Sequence, residues 1–182
     1  MDYRVISIGA LSRHELWEES APVRTAHATT TLVRSGDRVI LIDPGMPPQV
    51  IAARLKERCG LEPKQVTDVF LTNFRPAHRS GLGAFEHATW QISEMEREVI
   101  GRALVEQFQQ NEDDAETAAM IRDEIALLQR FKPADDRLAD QVDLFPLPGF
   151  TPGTCGLLLC HAHATTLVAA GAVPTVEHTE QG

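Results

Sequence analysis

The stretch LTNFRPAHRSGL, residues 71–82, gathers side chains that can do chemistry within a few positions of one another. It follows the apolar run VTDVFL, passes through Thr72 and a polar cluster, and reaches Gly81, where the chain can turn. His78 is its one good zinc ligand. Asn73 is a poor ligand, and Arg75 carries a permanent positive charge. A catalytic zinc site typically needs three nitrogen, oxygen or sulfur ligands and leaves one position for water. One imidazole does not supply that set.

A second grouping, Cys155, Cys160, His161 and His163, has the right residue types and the wrong geometry. CGLLLC reads as a strand, which sends Cys155 and Cys160 to opposite faces, and the two histidines fall in the turn that follows. His14, His27 and His87 lie far apart and read as core or surface residues. His178 follows Glu177 near the end of the sequence, and the sequence leaves open whether it folds back toward the sheet edge. The chain has no P-loop, no dinucleotide-binding glycine pattern and no Gly-x-Ser-x-Gly elbow.

The elements that must position these residues alternate in type. TTTLVRSGDRVILIDPG holds two β-branched and apolar runs around Ser35-Gly36-Asp37, a hairpin signal, and ends in Asp43-Pro44-Gly45. By turn preference alone, Asp43 is a turn-capping carboxylate. PPQVIAARLKERCG has helical apolar spacing, starts on prolines tolerated in a first turn, and stops at Gly60. With VTDVFL it forms a β-α-β unit that delivers the 71–82 loop at a strand's carboxyl end, where α/β sheets build sites.

From about residue 93 to 130 the composition turns to Glu, Gln, Ala and Arg, interrupted at NEDDAE, which predicts two helices with a polar join. Val99, Ala103 and Leu104 recur on one face of the first, and Met120, Ile121, Ile125 and Leu128 on the second. Such stripes pack on the chain's own sheet, or bury surface between two subunits as a homodimer. After residues 132–133 the chain returns to strands, at DLFPLPGFTPGTCGLLLC and ATTLVAAG.

Composition bounds the rest. The 182 residues fit one domain with an insertion, and Cys59, Cys155 and Cys160 suit free thiols in a reducing, cytoplasmic setting. A net charge of -9 and the lack of a Lys/Arg cluster oppose nucleic-acid binding. The N-terminus lacks a signal peptide's continuous apolar run, and no segment has the length to span a bilayer.

Four segments, LVRSGDRVILIDPG, VTDVFLTNFRPAHRSGL, DLFPLPGFTPGTCGLLL and TTLVAAGAVPT, resemble the metallo-β-lactamase fold family in order and spacing. The resemblance implies a single domain over 1–182. Its architecture would be an αββα sandwich of two packed sheets with outer helices, a helical insert at about 93–130 and a shortened C-terminal part. In active members one or two metal ions at the sandwich edge activate a water. The family's loop Thr-His-x-His-x-Asp-His-x-x-Gly is Thr72-Asn73-Phe74-Arg75-Pro76-Ala77-His78-Arg79-Ser80-Gly81 in this chain. Asn73, Arg75 and Ala77 therefore stand at ligand positions, and His78 alone is retained. Pro-Gly-His-Thr-Pro-Gly becomes Pro148-Gly149-Phe150-Thr151-Pro152-Gly153, and the aspartate of Gly-Asp-Ala is missing beside Gly171.

These losses imply a metal-free, non-catalytic binding or scaffold protein. A guanidinium about 4 Å from a dication is repelled by roughly 8 kcal/mol at an effective dielectric near 20, so Arg75 opposes a metal as well as failing to hold one. Without a metal, water keeps a pKa near 15.7 and the family's nucleophile does not form at neutral pH. Two other readings follow from the same residues. One is a hydrolase whose single zinc is held by His78 and groups the sequence does not reveal. The other is a small-anion site formed by Asn73, Arg75 and His78, with Asp43 nearby; in its simpler form Arg75 pairs with Asp43 and only stabilises the loop.

Overall fold

The fold was analysed in a computed structural model, which describes residues 1–14 and 17–173. His178 lies outside the described residues. Two sheets pack face to face. The larger has six strands in the order β1 (Asp2–Ser7), β2 (Thr30–Ser35), β3 (Arg38–Ile42), β4 (Asp68–Leu71), β5 (Thr89–Ile92) and β6 (Lys132–Pro133). The smaller has four, in the order β10 (Thr165–Val168), β9 (Cys155–Cys160), β8 (Val142–Pro146) and β7 (Arg137–Ala139).

The predicted hairpin is β2–β3, closed by Gly36 at φ 59°, a left-handed value that suits glycine. Helix α1 (Pro48–Cys59) then crosses to β4, which pairs parallel with β3, and β5 pairs parallel with β4. Gly60 ends α1 at φ 67°, its N–H donating back to the carbonyls of Leu55 and Lys56. The predicted helical pair is α3 (Glu94–Gln110) and α4 (Ala115–Gln129). Ser93 and Asp114 cap their N-termini through side-chain oxygens. A one-turn helix, α2 (Pro76–Arg79), sits in the loop after β4. Strands β6 and β7, of two and three residues, are too short to have been legible as β-branched runs.

Alternation along the strands of the larger sheet divides the core in two. Leu32, Leu41, Val69, Leu71, Trp90 and Ile92 face Ile51 and Leu55 of α1 and Leu128 of α4. Val33, Ile40, Ile42 and Phe70 face Val142, Leu157 and Leu159 of the smaller sheet. The result is the expected α/β sandwich. Among the described residues the α-helices cover the larger sheet, whereas Phe145 and Leu167 of the smaller sheet stand exposed. Of the predicted helical stripes, Ile121 and Leu128 are buried and Leu104 packs against the first cluster, while Met120 stands exposed. None of the described helices is long and apolar enough to cross a membrane.

Candidate functional site

Parallel pairing sets the carboxyl ends of β3, β4 and β5 side by side, so the residues that leave these strands meet. Asp43 leaves β3 at φ 49°, a left-handed conformation that Asp tolerates better than most residues, and is buried. Its carboxylate accepts from the Thr72 backbone N–H at 2.9 Å and from the Thr72 hydroxyl at 2.6 Å. It also lies 3.1 Å from Nδ1 of His78, on α2. Two glycines bring α2 this close. A Cβ on Gly45 would meet the Ala77 carbonyl at 2.4 Å, and one on Gly81 would meet the Met46 carbonyl at 2.6 Å.

The other nitrogen of His78 is covered. Asn73, fully buried, has Nδ2 at 3.2 Å from His78 Nε2, while its Oδ1 accepts from the Arg75 backbone N–H at 3.1 Å. An amide nitrogen has no lone pair to offer, so it donates and Nε2 accepts. His78 is thereby held as the Nδ1–H tautomer, donating toward Asp43. Burial of the ring works against an imidazolium, but the charge and hydrogen bond of Asp43 outweigh it, and the pKa is raised above the ordinary 6.5. Arg75 opposes that rise through its charge.

Glu96, on the first turn of α3, is fully buried and was not singled out in the sequence. Its carboxylate accepts from the Phe74 N–H at 3.0 Å and from the Thr151 hydroxyl, joining the 72–78 loop to the proline-rich loop. The Ser93 hydroxyl donates to the Gly153 carbonyl at 2.6 Å, and the Cys155 N–H donates to the Thr72 carbonyl at 2.9 Å. Gly153 lies so close to α3 that a Cβ there would be 2.2 Å from the Glu96 nitrogen. These contacts carry Phe150 to the site.

Phe150 stacks on Arg75, whose Cζ lies 4.9 Å from the ring centroid. The same ring leaves no room for a side chain on Gly171, where a Cβ would meet Phe150 Cδ2 at 2.8 Å. The predicted residues Asp43, Asn73, Arg75 and His78 are thus brought together, with one correction. Arg75 does not pair with Asp43, because both Asp43 oxygens are engaged by Thr72 and His78 and the guanidinium lies over Phe150 on the exposed side. The cysteine–histidine grouping stays divided as its spacing predicts: Cys155 is buried, and His161 lies in the turn after β9.

A metal ion of the kind the fold family uses does not fit these donors. His78 is hydrogen-bonded at both nitrogens, Asp43 at both oxygens and Asn73 at Oδ1, and Arg75 adds a positive charge beside them. Among the described residues no three His, Cys, Asp or Glu side chains converge as a metal site would require.

Comparison with known proteins agrees with the architecture. AidC, a dizinc quorum-quenching lactonase in complex with a product, superimposes with a TM-score of 0.62 at 21% identity, over 77% of this chain and 54% of that one. A putative metallo-beta-lactamase from Thermotoga maritima gives 0.64 at 18% identity, over 92% and 76%. B. thuringiensis AiiA with N-decanoyl-L-homoserine at its active site gives 0.53 at 18% identity, over 80% and 66%. The chain therefore spans about half the length of the first of these and two thirds to three quarters of the others. Among curated proteins nothing matches the sequence. Residues 24–180 match the family described as the metallo-beta-lactamase superfamily, and the chain belongs to that superfamily.

Proposed function

We propose that this chain is a metal-independent binding protein, a metallo-beta-lactamase fold in which a hydrogen-bonded polar plug stands where hydrolases of the superfamily hold their metals. The observation that carries this reading is the contact of Asn73 Nδ2 with His78 Nε2, which occupies the one ligand nitrogen the sequence retains. The stack of Arg75 on Phe150 supports it, since two positions that would carry imidazoles carry a cation and a ring packed on each other. The likeness to lactonases, at 17–21% identity, bears on the fold and not on the reaction.

The test is hydrolysis of a panel of lactones and esters with and without added zinc. The reading expects no zinc-dependent turnover. Turnover that needs zinc and vanishes in His78→Ala would establish the rival, a hydrolase with a single atypical metal. A second reading, self-association through α3 and α4, rests on Met95, Val105 and Met120, which stand exposed on the pair. Sedimentation across a wide concentration range tests it: mass should rise toward a dimer, and a constant monomer mass would count against it.

A further inference from the structure

We propose that the cleft beside Asn73 and His78 binds an amphiphilic monocarboxylate, an acid whose carboxylate lies on the Arg75 guanidinium and whose apolar tail lies along the cleft wall. This rests on the metal-independent reading above and names the ligand class for it. The cleft measures about 1220 Å³, more room than a small anion needs.

Large apolar side chains that stand exposed gather on its walls. More than half of the described large apolar side chains that stand exposed line this one cleft, among them Val5, Ile8, Trp17, Phe150, Leu167 and Val173. Scattered exposed apolar residues need no explanation, but their concentration in one concave surface marks a binding site.

The charge of the cleft selects the head group. The chain carries a net charge of -9, yet among the described residues the charged side chains lining this cleft are Arg13, Arg24, Arg75 and one buried carboxylate, Asp43, and Arg13 is itself engaged by another residue. Arg24 is paired with Glu19, and Asp43 is held by Thr72 and His78. Among the described residues the Arg75 guanidinium has no hydrogen-bond or ion-pair partner, only the face of Phe150. A stacked guanidinium keeps its N–H edge for a ligand, and one planar fork matches one carboxylate bidentately. A cation–π stack at an exposed site is weaker than one charge-assisted hydrogen bond, so it does not hold Arg75 away from an acid.

The test is calorimetric titration of the zinc-free full chain with octanoate, octanol and acetate, repeated on Arg75→Gln and Ile8→Asp. Both positions are exposed, so neither change disturbs the core. Octanoate is expected to bind at least about tenfold tighter than octanol or acetate. Arg75→Gln should remove about that tenfold, and Ile8→Asp, which places a carboxylate on the tail wall, should weaken octanoate and octanol alike. Octanol matching octanoate, acetate matching octanoate, indifference to Arg75→Gln, or no binding at all would each overturn the proposal. Zinc measured in the same preparations keeps the two claims apart. Failure of octanoate to bind zinc-free protein sinks this inference alone, whereas stoichiometric zinc lost in His78→Ala sinks the metal-independent reading.

Discussion

Asn73 Nδ2 lies 3.2 Å from His78 Nε2, and both side chains are buried. That contact makes Nε2 of His78 a structural hydrogen-bond acceptor. Asn73→Ala removes the donor to His78 and the acceptor of the Arg75 N–H together. The expected cost is about 1–3 kcal/mol of stability, read from urea denaturation. A loss below a few tenths of a kcal/mol would mean the amide is not part of a formed network.

The pH dependence has a definite sign. The folded-state pKa of His78 lies above its ordinary 6.5, so the folded protein binds this proton more tightly than the unfolded chain. The stabilisation is complete below pH 6.5 and is lost as pH rises through the folded-state pKa. Protonation also puts a hydrogen on Nε2, so Asn73 must turn its amide over and give up the bond from the Arg75 N–H. Denaturation midpoints compared between about pH 5.5 and 8.5 should fall in the wild type more than in His78→Asn. An equal pH response in both would show that another group is responsible.

Glu96 ties two loops together from a fully buried position. Glu96→Ala leaves the buried Phe74 N–H without a partner and should cost about 3 kcal/mol, with Glu96→Gln losing less. Amide exchange at Phe74 should accelerate in Glu96→Ala. Protection equal to wild type would place the restraint elsewhere. Gly153→Ala attacks the same junction from the other side, since the new Cβ would lie 2.2 Å from the Glu96 nitrogen. About 1–3 kcal/mol of overpacking is expected.

Most of the sandwich was legible because its punctuation is local. Gly36 turns the hairpin and Gly60 stops α1, each through a preference of one residue type for one backbone geometry, and the change of composition with its break at NEDDAE marks the helical pair. Asp43, Asn73, Arg75 and His78 were legible as a group because the loop frame around them survives. Glu96 was not, because its sequence neighbours are those of a solvent-facing helix, and the groups that engage its carboxylate, the Phe74 N–H and the Thr151 hydroxyl, are distant in sequence. The partner of Arg75 was misjudged for a related reason. Phe150 is distant in sequence and leaves no local trace, whereas Asp43 offered an opposite charge that Thr72 and His78 had already taken.

Thiol reactivity separates the three cysteines. Burial pushes the Cys155 thiol up to about 11, whereas Cys59 and Cys160 are only partly buried. At pH 8 about a thousandth of Cys155 is thiolate, so iodoacetamide should label Cys59 and Cys160 first. Peptide mass spectrometry reads the order, and early labelling of Cys155 in folded protein would contradict the packing of β9.

The central claim is that the retained loop frame no longer holds a metal, and metal content tests it most directly. Protein purified without added metal or chelator should carry zinc well below one equivalent per chain, and His78→Ala should leave that amount unchanged. Near-stoichiometric zinc in the wild type that disappears in His78→Ala would contradict the account.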